Sequence, residues 1–477
     1  MTDPALRRMA LGCWLAGFTG SEPHGWLLRA LADGLGGVVL FGGNVGDGEH
    51  VRALTDRLRD AAGRDVVVAL DEEGGDVTRL DAARGSVVPG AAALGWLDDP
   101  AATEKAYALL GARLATAGVT VDLAPVADVN TDPRNPVIGV RSFGCDPAHA
   151  SRHVAAAVRG LQAQGVAACT KHFPGHGATI SDSHHEVARV DEPEFAPFAV
   201  AVDAGTRAVM TGHLLVPSLD PGNLATTSEV VTRDLLRDRL GFTGTVVTDA
   251  LEMRALAGTL GMVPGFVRAL VAGADAVETG AGEYPHLTDA LPAAVEAAVR
   301  EGILDPKRLE DAAERTARLA TPPGRHPRGG PGATIGMTSV VEGLAACCIE
   351  VLGELPRLRE PLVVEARPPA GMAAGVVPWS LAEPLARLVP GTTGEHVTGP
   401  VGPFPSDRSL VVVVRDPQRH AWQWSLVDAA RGHPAAVVVD VGWPMDGSEV
   451  VVPLVRTRGT APVLLGAAAE RLAGART

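Results

Sequence analysis

Eight short apolar runs punctuate the first 320 residues of this chain, at 11–16, 37–41, 66–70, 119–124, 166–170, 208–211, 245–248 and 274–277. Amphipathic stretches such as 49–59, 101–117, 153–163 and 230–239 lie between them. The runs have the length and content of buried strands, and the stretches carry helical spacing. Eight strands alternating with helices suit a (β/α)8 barrel, whose usual size is ~250 residues. A doubly wound open sheet competes, but it does not need eight units. The expected fold class is therefore α/β, a TIM-type barrel over 1–320 followed by a smaller α/β sandwich.

The second unit is required by length, because 477 residues exceed one ordinary domain. TPPGRHPRGGPG, at 321–332, holds four Pro and four Gly and marks a linker expected over 321–334. Apolar runs at 361–365, 410–414, 435–439 and 463–465 follow, and 335–477 reads as the sandwich domain. It has no glycine-rich dinucleotide fingerprint. Its odd feature, RHAWQWS with His420, Trp422 and Trp424, reads as a helix start packed on the sheet or on the barrel.

Polar residues recur after the strand candidates. Asn44 follows the second, Asp71 to Gly75 the third, Asp128 and Arg141 the fourth, Lys171 and His172 the fifth, His213 the sixth and Asp249 the seventh. A barrel builds its active site at that face. The stretch KHFPGHGATISDSHH, 171–185, leaves a strand at Lys171-His172 and becomes an irregular loop, since Pro174, Gly175 and Gly177 break regular structure. In it Asp182 stands two residues from His184, a dyad suited to general acid/base work near neutral pH. Arg79, Arg141, Lys171 and His172 are donors for hydroxyl or amide oxygens, and Asp71 can accept from paired hydroxyls. A surface ion pair is the plainer reading of each clamp residue alone. Asp249 is a nucleophile, a helix cap or a salt-bridge partner. The set, with no phosphate-cradling loop, looks like a sugar site.

Other classes are disfavoured. A formal charge of -14 argues against nucleic acid and anionic membrane surfaces. No apolar run reaches the ~18–20 residues of a membrane span. The stretch 9–18 is short, broken by Gly12 and without a convincing cleavage site. Five cysteines (13, 145, 169, 347 and 348) show no metal spacing, and Cys347 and Cys348 are expected in a core. A reducing, cytoplasmic setting is the simplest account. His172 and His176 have metal-ligand spacing, but Pro174 and Gly175 between them remove the helix that spacing needs. No metal and no cofactor are expected.

The chain resembles the β-N-acetylglucosaminidase subgroup of glycoside hydrolase family 3. KHFPGHG…DSH is the most specific block. LFGGNV (40–45), LDEEGGDVTR (70–79), LAPVADVN (123–130), NPVIGVRSFG (135–144), VMTGHLLVPSLD (209–220) and GFTGTVVTDALEM (241–253) join it in order. The resemblance implies an exo-acting, retaining double displacement. Asp249 would attack the anomeric carbon, and His184, tuned by Asp182, would serve as acid/base. Asp71, Arg79, Arg141, Lys171, His172 and His213 would hold the sugar, with Arg141, Lys171 and His172 nearest its hydroxyls. The usual retaining pair is two carboxyls ~5–5.5 Å apart; an imidazole instead adds no negative charge facing the acceptor, so phosphate is a conceivable acceptor besides water. A β-glucosidase or β-xylosidase, or a sugar-binding protein without turnover, are the alternatives. Ala178 stands where the subgroup often carries Asp, and Asp76 where many members carry Arg. The second domain's role and the oligomeric state stay open.

Overall fold

A computed structural model of the chain describes residues 3–46, 48–179, 181, 187–321, 331–369, 371, 375, 377–445 and 452–474, the side chains of 331–337 excepted. Eight parallel strands form one sheet: β1 (Trp14–Gly17), β2 (Gly37–Leu40), β3 (Val67–Leu70), β4 (Val121–Asp122), β5 (Ala167–Phe173), β6 (Ala208–Thr211), β7 (Thr245–Thr248) and β8 (Val277–Thr279). They are ordered β8-β1-β2-β3-β4-β5-β6-β7, and a parallel bridge from Val247 to Ala276 brings the two ends together. Every residue of these strands is buried, as expected where helices cover one face and the barrel interior the other. Four of the helices begin with Asp-Pro. Asp3, Asp99, Asp146 and Asp305 each accept a backbone N–H, and the proline that follows opens the helix.

Two strands start three residues later than the apolar runs suggest. Helix Pro4–Gly12 runs on through Leu11, so β1 begins at Trp14. Helix Met262–Ala272 is closed by Gly273 and by Ala274 N–H on Ala269 C=O at 2.9 Å, which delays β8 to Val277.

Strand alternation fixes what faces the lumen. Leu15, Val39, Ala69, Leu123, Cys169, Met210, Val247 and Ala276 belong to one interior cluster. Two residues further along, Phe41, Asp71, Lys171, Asp249 and Glu278 fall on the same face at the C-terminal rim.

The second unit is a mixed six-stranded sheet of β9 (Glu350–Leu352), β10 (Leu362–Ala366), β11 (Thr393–Val397), β12 (Leu410–Val414), β13 (Ala436–Asp440) and β14 (Leu454–Arg456). Its order is β9-β14-β13-β12-β10-β11, antiparallel only between β9 and β14. The apolar run 463–465 is helical rather than extended, because Pro462 opens helix Pro462–Leu472. Most of the expected linker, 322–330, lies outside the described residues, and helix Pro331–Cys347 is already running at Pro331. That helix packs on Pro100–Thr116 and on Pro462–Leu472, so it touches both units. Cys348 is buried as expected, but Cys347 is exposed, one position round the helix end. Trp422 and Trp424 pack on the sheet's core.

The barrel's β3 loop reaches the second unit. Asp76 Oδ1 accepts from Thr460 N at 2.7 Å and Thr460 Oγ1 at 2.9 Å, and its Oδ2 pairs with Arg415 at 2.8 Å. The Arg458 guanidinium lies 3.8 Å over Trp96. No helix among the described residues is long and apolar enough to cross a membrane.

Candidate active site

The β3 loop supplies three of the acids that organise the barrel mouth, Asp71, Glu72 and Glu73. Gly75, at φ 62°, passes so close to Gly90 that a Cβ would sit 2.4 Å from its Cα, which explains a glycine here. Glu72 is folded inward, and its Oε2 accepts from Arg79 N at 2.8 Å and Leu80 N at 2.9 Å. Burial pushes Glu72 up to about 7. Its role is to close the loop and set Arg79 over the cavity.

Glu73 turns the other way and grips two cations. Arg141 forks onto it, Nε to Oε2 at 2.8 Å and Nη2 to Oε1 at 2.7 Å, while Lys171 Nζ stands 2.7 Å from Oε1. Lys171 also donates to Asp71 Oδ1 at 2.5 Å, and Arg79 Nη2 lies 3.4 Å from Asp71 Oδ2. Burial works against charge on Glu73 and Asp71, but the cations win. Arg141 and then Lys171 hold Glu73 well below the carboxylate range, and Lys171 and then Arg79 lower Asp71. Burial likewise opposes charge on Lys171 and Arg141, and the facing carboxylates raise both. This is a charged lattice with alternating signs, assembled from three strand ends.

Asp128, fully buried after β4, fixes the next layer. It accepts from His176 N at 2.6 Å and from His172 Nδ1 at 2.7 Å. Burial opposes its charge, and His172 more than compensates. With Nδ1–H committed to Asp128, His172 presents Nε2 beside Arg141 Nη2 at 3.4 Å. Burial lowers His176 to about 4, so that ring is neutral at physiological pH. Gly177 passes against Val129 C=O, where a Cβ would lie 1.8 Å from the oxygen.

Asp249 stands half-buried at the end of β7, its Oδ1 accepting from Ala250 N at 2.9 Å. His213 does not line the cavity. It is buried beneath the β7 turn, Nδ1 at 2.8 Å from Thr226 Oγ1 and Nε2 at 3.0 Å from Ala250 C=O. Asp182 and His184 lie outside the described residues. Asn44 holds the β1 and β2 loops together through Phe18 C=O at 3.0 Å.

These groups surround a cavity of about 380 Å³, which Asp71, Arg79, Arg141, Lys171, His172 and Asp249 all line. That is near the lower end of the ~300–1,000 Å³ typical of small-ligand sites. A larger depression of about 970 Å³ lies on the helical exterior, where Arg113 is paired with Asp81 at 2.7 Å. The convergent polar groups are at the barrel mouth, not there. Glu73, Glu252 and Glu278 also line the mouth. They were not singled out as sugar-holding residues from the sequence, although β8 alternation points Glu278 inward.

Among the described residues, the group with metal-ligand geometry is Asp98, His149 and His153, with ligand atoms within 4.8 Å of one another. It lies apart from the mouth, and the Arg152 guanidinium already pairs with Asp98 at 2.7 Å and lies 3.3 Å from His149 Nδ1.

A TIM-type barrel with a polar pocket at its C-terminal mouth, lined by inward carboxylates and their cations, has its candidate enzyme site where such barrels build one. The chain belongs to glycosyl hydrolase family 3: the model of that family's N-terminal domain matches residues 29–319. It is 36% identical over 300 residues to a beta-hexosaminidase of Chromobacterium violaceum, covering 60% of this chain and 80% of that one. It is 34% identical over 269 residues to beta-hexosaminidase A of Pseudoalteromonas piscicida, of whose length it spans 45%. The solved family 3 beta-N-acetylglucosaminidase from Paenibacillus sp. str. FPU-7 superposes with a TM-score of 0.88 at 31% identity, covering 99% of this chain and 97% of that one.

Proposed function

We propose that this chain is a retaining exo-β-N-acetylglucosaminidase that removes terminal β-linked N-acetylglucosamine. The observation that carries the reading is the pairing of Asp249 with a cation-clamped lattice across one cavity of sugar size. Asp71 is held ionised by Lys171 and Arg79, so it accepts from sugar hydroxyls. Arg79, Arg141 and His172 face the same space and fix the ring's orientation. Asp249 then attacks the anomeric carbon, the glycosidic C–O bond breaks, and a glycosyl ester forms. The leaving oxygen takes its proton from His184, oriented by Asp182. In the second step His184 removes a proton from water, which displaces Asp249 and releases the sugar. His213 acts from below, by holding the backbone on which Asp249 sits.

The substrates of this reading are N-acetylglucosaminides from chitin-like oligosaccharides or cell-wall muropeptide sugars. Five cysteines without a disulfide support a reducing, cytoplasmic setting. Phosphate as acceptor is favoured by one feature, the imidazole of His184 in place of a carboxylate. The test is incubation with 4-nitrophenyl N-acetyl-β-glucosaminide, with and without millimolar phosphate, and identification of the sugar. Free N-acetylglucosamine in both supports the hydrolase; a phosphate-dependent rate yielding sugar 1-phosphate replaces it with a phosphorylase. Turnover of the aryl glucoside alone overturns the N-acetyl specificity.

A further inference from the structure

The eighth strand delivers a carboxyl to the cavity that the reaction above does not use. Ala276 belongs to the barrel's interior cluster, so alternation sends Glu278 into the lumen one layer higher, beside Asp249 on the neighbouring strand. Glu278 lines the same cavity as Asp249 and is 4% exposed. Its backbone is fixed to the strand end that carries Asp249: its N–H donates to Thr248 Oγ1 at 3.1 Å, and its C=O accepts from Leu251 N at 3.0 Å. Its side chain, by contrast, has a buried oxygen, Oε2, without a hydrogen-bond partner among the described residues.

A buried acid with an open oxygen destabilises the fold that holds it, and an apolar side chain would simply extend the interior cluster. Nothing in the barrel's architecture asks for a carboxyl at this place. The residue lines the cavity in which a substrate fits.

We propose that Glu278 is a further substrate-contacting residue, hydrogen-bonded to a hydroxyl of the sugar held above Asp249. The inference rests on the glycosidase reading. Burial first, then the charges of Asp249, Asp71 and Glu252, raise Glu278 well above the carboxylate range. The group is thus a neutral acid with an O–H to donate, unlike Asp71, which only accepts. It contacts a hydroxyl without placing another negative charge against the nucleophile.

The test uses the full chain with Glu278→Leu and Glu278→Gln. For each, kcat/KM is measured on 4-nitrophenyl N-acetyl-β-glucosaminide and on its 3-, 4- and 6-deoxy analogues, together with Tm. Glu278→Leu is expected to lower kcat/KM on the parent substrate about 10–100-fold, the usual effect of a lost buried hydrogen bond. Its Tm should be unchanged or higher. The deficit should disappear on one deoxy analogue, the one lacking the contacted hydroxyl. Glu278→Gln keeps a donor and should stay within about 3-fold of the unaltered chain. If the leucine is not accommodated, Glu278→Ala gives the same readout without filling the space. An unaltered kcat/KM in Glu278→Leu, or an equal loss on every analogue, overturns the inference. Absence of turnover by the unaltered chain removes the glycosidase reading and this inference with it. Turnover that Glu278→Leu leaves intact removes this inference alone.

Discussion

Replacing Lys171 by Met probes the charged lattice at the barrel mouth. Its Nζ lies 2.5 Å from Asp71 and 2.7 Å from Glu73, with the lysine side chain 3% exposed. Glu73 keeps its two-pronged Arg141 bond in the variant. Asp71 is left with Arg79 at 3.4 Å, so the loss concentrates there. Breaking one side of a buried pair costs about 3–5 kcal/mol, and the surviving cations place this case near 3 kcal/mol. The pH dependence has a definite sign. In the unaltered chain Asp71 is depressed, so its contribution is present above the unfolded value, ~4, and is lost as pH falls below it. Without the lysine, burial raises Asp71 above ~4, and the folded variant takes up a proton in mild acid. The stability deficit should therefore be smaller at pH 5 than at pH 8. Urea unfolding followed by circular dichroism at both values reads it. A deficit under about 1 kcal/mol at pH 8, or a larger one at pH 5, refutes the argument.

Glu72→Gln keeps an acceptor for Arg79 and Leu80 but cannot ionise. Glu72 is raised from 4.5 to about 7, so its favourable contribution is present below 4.5 and lost as pH rises through 7. Glu72→Gln should gain on the unaltered chain between pH 5 and pH 8, by on the order of 1–3 kcal/mol; a Tm difference independent of pH contradicts this. Asp76→Ala removes three bonds from Thr460 and Arg415 and should cost about 1–3 kcal/mol. Calorimetry should then show the two units melting further apart, and a single unshifted transition would speak against Asp76 as their link.

The barrel was legible because parallel strands covered on both faces read as bare apolar runs, and because amphipathic stretches alternate with them. Errors at β1 and β8 came from helices that run one turn further than the apolar pattern shows. The mouth residues were legible as polar groups just past strand ends. Their partners were not: Glu73 and Arg141 are 68 residues apart in sequence, and nothing local links them. Glu278 could have been found by carrying alternation one step beyond Ala276. Asp76 looks like one more loop acid until Thr460 and Arg415 fold against it. The 463–465 run misleads because three apolar residues after a proline suit a strand and a first helical turn alike.

Asp249 as nucleophile is the step on which the proposed reaction depends. Incubation with a fluorinated N-acetylglucosamine donor, followed by peptide mass spectrometry, should find one sugar attached to the peptide containing Asp249 and none in Asp249→Ala. A label on another carboxylate, or labelling that persists in Asp249→Ala, would contradict it.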